Sequence, residues 1–267
     1  MKRVLLLALL ALLAQGCSTV PITGRRQLSL VSDKEVLATS LTEYRSFMDK
    51  AKVSGNKVQS KQVVRVGRNI ATATESFLNS NGLEKEVENF AWEFNLVEDK
   101  QVNAFCMPGG KIVVYTGLMK LVSSDDELAV VLGHEVAHAV AKHGNERMSQ
   151  QILAAVGTGA TAVAVVAAGG SASSAEAAAS VFGLGAAVGV MLPFSRKHES
   201  EADYMGLALM TMAGYDPGAA VGFWKKMAAA GGSSTPEFLS THPSDETRIA
   251  DIQKVLPEIR AKFSPKK

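Results

Sequence analysis

From Leu128 to Val140 the chain is apolar on nearly every face of a helix, and into that run it sets His134, Glu135 and His138. A helix of this composition belongs inside a core. Ionisable groups there cost several kcal/mol unless something satisfies them. Imidazoles at i and i+4 are about 400° apart around a helix, so both emerge on one face within reach of a single cation. Glu135 would then stand beside the open coordination position of a zinc ion, placed to take a proton from its water. Ordinary hydrogen bonds to both histidines are the alternative. The start of the helix is marked by Ser124 as cap and Glu127 three residues on, with Asp125 and Asp126 opposing the macrodipole.

A catalytic zinc needs a third protein ligand. His143 would lie about 180° around the same helix from His134 and cannot join unless the helix ends first. Ala141 and Gly144 occupy positions where metzincins carry glycine and histidine, which excludes that class. Glu146 and Glu176 have no supporting neighbours in sequence. In Ser195 to Asp203, a helix would put Glu199 and Asp203 on one face and turn Glu201 about 200° away from Glu199. Glu199 is therefore the better ligand, with Asp203 as acceptor for a ligand imidazole. A solvated acidic face is the alternative.

The N-terminus adds a location. Lys2-Arg3, an apolar run from Val4 to Leu13 and small residues up to Gly16 read as a secretory signal, residues 1–16, too short to span a membrane. Leu13-Ala14-Gln15-Gly16-Cys17 resembles a bacterial lipobox, with alanine where leucine is preferred. Its cysteine, Cys17, would be acylated, and Ser18 suits outer-membrane delivery. Residues 17–32 then form the lipidated cysteine and an extended tether. Cys106 would be the one remaining thiol, without a disulfide partner, and is expected to be buried and apolar. Removal of Lys2 and Arg3 leaves 26 bases against 26 acids, so overall charge gives no case for nucleic-acid binding.

Residues 33–267 suit one domain, α+β and mostly α. Helices are expected from Ser32 onward, over about 60–80, and in two amphipathic stretches after Asp216-Pro217 and Asp245. Phe90 to Val97 and Lys111 to Tyr115 read as strands, the second introduced by Pro108-Gly109-Gly110. Residues 152–194 are rich in Ala and Gly and read as a helical pair or flap, with a membrane span as the alternative.

Together these motifs resemble the zinc metallopeptidases of the HtpX and CAAX prenyl protease type, in the periplasmic lipoprotein branch that includes LoiP. Thr23 to Leu28, Asn103-Ala104-Phe105 with Pro108-Gly109-Gly110, His134-Glu135-x-x-His138, Ser195-Arg196-x-x-Glu199-x-x-Ala202-Asp203, Gly214 to Pro217, and Thr241-His242-Pro243 with Arg248 carry the likeness. It implies a zincin-like (gluzincin) fold with a small sheet, and one zinc ion held by His134, His138 and Glu199. It also implies that Glu135 is the base, that His242 stabilises the oxyanion and that Arg248 supports that wall. Asn103, Ala104 and Val113 would lie at a substrate-binding edge strand near Lys111 to Tyr115, pairing with a peptide backbone regardless of side chain. The expected activity is endopeptidic cleavage of unfolded or misassembled envelope proteins, with the domain in the periplasm and envelope-assembly proteins as partners. A catalytically silent lipoprotein with a chaperone or scaffold role is the alternative, and the intact Glu135 weighs against it.

Overall fold

The computed structural model describes residues 17–157, 194–230, 236–242 and 246–265. Residues 1–16, where a signal is expected, Pro243 and most of the Ala/Gly-rich stretch lie outside them. The order is β1 (Cys17–Thr19), β2 (Arg26–Leu28), α1 (Asp33–Met48), α2 (Lys57–Ser80), α3 (Glu84–Val87), β3 (Glu93–Val97), β4 (Ala104–Met107) and β5 (Lys111–Tyr115). Then follow α4 (Thr116–Met119), α5 (Asp125–Val140), α6 (His143–Gly157), α7 (Arg196–Met212), α8 (Ala219–Ala229), α9 (Glu237–Thr241) and α10 (Glu246–Phe263). Among the described residues no helix is long and apolar enough to cross a membrane.

α5 is the core helix its composition demands, buried along nearly all of its length. Ser124 accepts from the Glu127 amide, and the Glu127 carboxylate reaches back to the Ser123 amide at 2.7 Å. One first-turn amide, that of Glu127, and the amide just ahead of the cap are thus satisfied. α7 crosses α5 where glycine faces glycine: a Cβ on Gly133 would stand 2.7 Å from the Gly206 carbonyl oxygen, and one on Gly206 2.8 Å from the His134 amide nitrogen. Only glycine lets the two backbones approach this closely. α2 covers another side of α5, with Gly67 against the Phe94 ring of β3.

The larger sheet has the order β3-β5-β4, with β3 parallel and β4 antiparallel to β5. The turn from β4 into β5 needs positive φ at Gly109 (+89°) and Gly110 (+80°), a conformation glycine adopts without strain. β5 is therefore the central strand, not an edge, and it is buried throughout because it is covered on both sides. β3 and β4 are the outer strands; residues 52–54 bond to the far side of β3, while the Cys106 amide of β4 turns to Glu135 of α5.

Residues 17–32 contain two short extended strands. β1 and β2 pair antiparallel from Cys17↔Leu28 to Thr19↔Arg26, and Val20 is fully buried in the main core.

Candidate metal centre

His134 and His138 lie one helical turn apart on α5, with their Nε2 atoms 3.1 Å from each other. Glu199, one turn into α7, places Oε2 3.3 Å from His134 Nε2 and Oε1 3.4 Å from His138 Nε2. His242, just after α9, brings Nδ1 to 3.2 Å from His134 Nε2 and 3.1 Å from Glu199 Oε1. One donor atom from each of the four lies within 4.8 Å of the others, and all four side chains are buried. Three ring nitrogens and a carboxylate crowded this closely cannot all satisfy one another by hydrogen bonding. Glu135 Oε1 is in fact buried without a hydrogen bond. Two imidazoles and a carboxylate suit a zinc ion that keeps its fourth position open, with His242 beside it, and the residues fit one such ion.

Titration follows from the same crowding. Burial opposes the charge on Glu199, but hydrogen bonds from His134, His138 and His242 win and hold its carboxyl far below the usual range. Burial likewise opposes charge on His134, yet Asp203 and Glu199 raise it to about 9. Burial, with the neighbouring His134 charge, pushes His138 well down. The neutral ring is the ligating form, so metal binding competes with the His134 proton. Burial raises Glu135 above its ordinary range, the direction that strengthens a carboxylate as a base.

A second layer orients the first. Asp203 Oδ1 meets His134 Nδ1 at 3.0 Å. Arg248 grips both Asp203 oxygens, Nε to Oδ2 at 2.5 Å and Nη2 to Oδ1 at 2.8 Å, while its guanidinium lies 4.1 Å over the Trp224 ring. Arg248 Nη1 also stands 3.0 Å from Glu199 Oε2. Opposing charges buried together hold Asp203 below and Arg248 above their usual ranges despite burial.

The structure brings together His134, Glu135, His138, Glu199, Asp203, His242 and Arg248. His242 differs in detail from its expected place, because Nδ1 joins the donor set while Nε2 lies 3.4 Å from Glu135 Oε1. Val113 is a correction: it sits on the central strand, fully buried and paired with both Asn95 and Phe105, so no peptide can pair beside it. Ala104 stays on the edge strand β4 with its side chain buried, and Asn103 immediately precedes it, its carbonyl accepting from Tyr115 N at 3.0 Å. Cys106 is buried as expected; its amide donates to Glu135 Oε2 at 3.0 Å, and burial beside that carboxylate pushes its thiol well up. Cys17 lies exposed in β1.

His143, Glu146 and Glu201, weighed in the sequence only as third ligands, and His198, which carried no signal there, form a polar network behind the centre. α5 ends at Val140, and Lys142 takes a left-handed conformation (φ 55°), so His143 begins a new helix and turns back to His138. Glu146, without neighbours in sequence, is held by Arg25 and His198 in space.

A helix-borne His-Glu-x-x-His pair completed by a glutamate from a second helix, beside the outer strand of a small sheet, defines a zincin-like metal centre. The chain belongs to Peptidase family M48, whose sequence pattern matches residues 65–256. It is 41% identical over 162 residues to the mitochondrial metalloendopeptidase OMA1 of Arabidopsis thaliana, covering 61% of this chain and 31% of that protein. Its identity to OMA1 of Schizosaccharomyces pombe is 36% over 178 residues, 66% of this chain and 50% of that protein. With the Escherichia coli beta-barrel assembly-enhancing protease it is 30% over 171 residues, 63% and 35% respectively. The matched stretch thus spans between about a third and a half of these relatives.

Proposed function

We propose that this chain is a zinc-dependent endopeptidase that cleaves unfolded or misassembled proteins of the bacterial cell envelope, anchored at Cys17 with its domain in the periplasm. The observation that carries the activity is the setting of Glu135. One carboxylate oxygen is fixed by the Cys106 amide of edge strand β4, and the other is buried without a hydrogen bond next to the donor set. The group that must move a proton is thereby tied to the strand along which a peptide would pair. OMA1 is named a metalloendopeptidase and the E. coli relative a beta-barrel assembly-enhancing protease, which supports the reading of activity and of setting.

Zinc, when bound by His134, His138 and Glu199, supplies Lewis acidity toward the scissile carbonyl and an acidified water. Glu135 Oε1 takes the water's proton and returns it to the leaving amine. His242 Nε2, beside Glu135, faces the charge that develops on the carbonyl oxygen. His242 Nδ1 lies 3.2 Å from His134 Nε2 and 3.1 Å from Glu199 Oε1, which sets the ring against the open side of the donor set. Asp203, braced by Arg248, keeps His134 Nε2 turned to the centre.

Glu135→Gln keeps shape and removes the base. It is expected to lower cleavage of an unfolded protein by about 10²–10⁴-fold while bound zinc stays stoichiometric. Unchanged cleavage by the purified variant would reject the peptidase reading and leave a scaffold role. Cys17→Ala is expected to release the chain from the membrane fraction; retention there would reject the anchor.

A further inference from the structure

The segment Thr23-Gly24-Arg25 packs against the back of the metal centre. The Arg25 guanidinium bridges carboxylates from two helices: Nη1 and Nη2 reach the two oxygens of Glu146 on α6 at 2.9 and 2.6 Å, and Nε reaches Glu201 Oε2 on α7 at 2.7 Å. Thr23 Oγ1 donates to the other Glu201 oxygen at 2.6 Å. All three charged side chains are largely buried, with 15%, 8% and 6% of the Arg25, Glu146 and Glu201 side chains exposed. Two buried carboxylates this close need the cation between them.

The network then runs toward the centre. His143 Nε2 meets Glu201 Oε2 at 2.9 Å, and His143 Nδ1 meets His138 Nδ1 at 2.9 Å. A carboxylate between a guanidinium and a hydroxyl donor accepts, so the His143 proton stands on Nε2 and its Nδ1 presents a lone pair. His138 must donate to that lone pair from Nδ1. Its Nε2 is then the bare nitrogen, and it points at His134 and Glu199. His134 reaches the same state by a shorter route, through Asp203 and Arg248. Each ligand histidine thus has its own carboxylate and its own arginine, and the arginine behind His138 comes from the N-terminal segment.

We propose that Arg25 is a positioning residue of the metal centre, fixing the tautomer and orientation of His138 through Glu201 and His143. This rests on the metal-centre reading above. Loss of such outer partners costs about 10–100-fold in metal affinity.

The test uses the full chain, stripped of metal, with zinc affinity measured by competition against a chromophoric chelator and with the visible spectrum of the Co²⁺-loaded protein. Arg25→Ala and His143→Ala are expected to weaken zinc binding about 10–100-fold and to shift the Co²⁺ bands. The double variant is expected to bind no more weakly than His143→Ala, because both act on one path. Arg26→Ala, at an exposed neighbour, is expected to bind like the parent. If Arg25 only pins the N-terminal segment, Arg25→Ala lowers the melting temperature of the metal-free protein and leaves zinc affinity unchanged, which overturns the proposal. Should Arg25→Ala fail to fold, Arg25→Lys and His143→Gln decide it, and parental affinity and spectra in both overturn it. A parent chain that binds no zinc would instead remove the metal-centre reading itself.

Discussion

Glu199 and Glu201 stand two positions apart on α7 and face opposite ways. Glu199 turns into the donor set, and Glu201 turns to His143, Thr23 and Arg25. Helical geometry alone separated them, since residues two apart point about 200° from each other. What the sequence could not show was the task of Glu201, because all of its partners come from other elements. Glu199→Ala removes a donor and is expected to leave no stoichiometric zinc after dialysis. Glu201→Ala keeps all four donors and is expected to retain one zinc per chain, held about 10–100-fold more weakly. Elemental analysis of the two dialysed variants checks this, and the reverse pattern would exchange their roles.

At the scale of elements, α5 and β5 were legible almost to the residue, because a capped apolar helix and a β-branched run after Pro-Gly-Gly are local signals. The position of β5 within its sheet was not, since sheet order depends on contacts between distant residues. The glycines at the α5–α7 crossing were equally silent, as each looks like a mere helix weakness until the partner backbone is known. They yield a sharp contrast. Gly206→Ala would press a methyl group against the His134 backbone, which cannot yield without moving the metal site. It is expected to cost about 3 kcal/mol and lower the melting temperature by about 6–12 °C. Gly222→Ala, in α8 with nothing within 4 Å of the added carbon, is expected to be neutral or to stabilise by up to about 1 kcal/mol. Thermal unfolding of the two variants checks both signs.

Across the whole molecule, ion pairs and the metal centre fasten elements far apart in sequence, which is why the hold of Arg25 on Glu146 and Glu201 was not legible there. Metal removal should loosen these joints together. Zinc held at about 100 times its dissociation constant stabilises the folded state by about 2.7 kcal/mol, so chelation is expected to lower the melting temperature by about 5–10 °C. Acid should act on the same joints from another side. Glu127 at the head of α5 is bound by Lys226 of α8 at 2.7 and 2.8 Å, and although burial opposes its charge, Lys226 and the Ser123 amide hold it below its ordinary 4.5. Glu146 is likewise held below 4.5 by Arg25 against the burial that opposes its charge. A carboxyl lowered on folding contributes stability in full above its unfolded value and loses it as pH falls through the folded one. In the metal-free protein these two carboxyls therefore contribute stability that is full above about pH 5 and is lost below about pH 4.5. His134, raised to about 9, adds stability that fades as pH rises from about 6.5 through 9, whereas His138, His143 and His198, held below their ordinary 6.5, cost stability as pH falls below it. Lys226→Met removes the cation that lowers Glu127, and at pH 7 is expected to cost about 1 kcal/mol, or about 2–4 °C. That deficit should shrink as the pH drops, because protonated Glu127 no longer gains from Lys226. Melting curves of parent and variant across that range check the argument, and a gap that stays constant into acid would show that Lys226 acts through packing rather than charge.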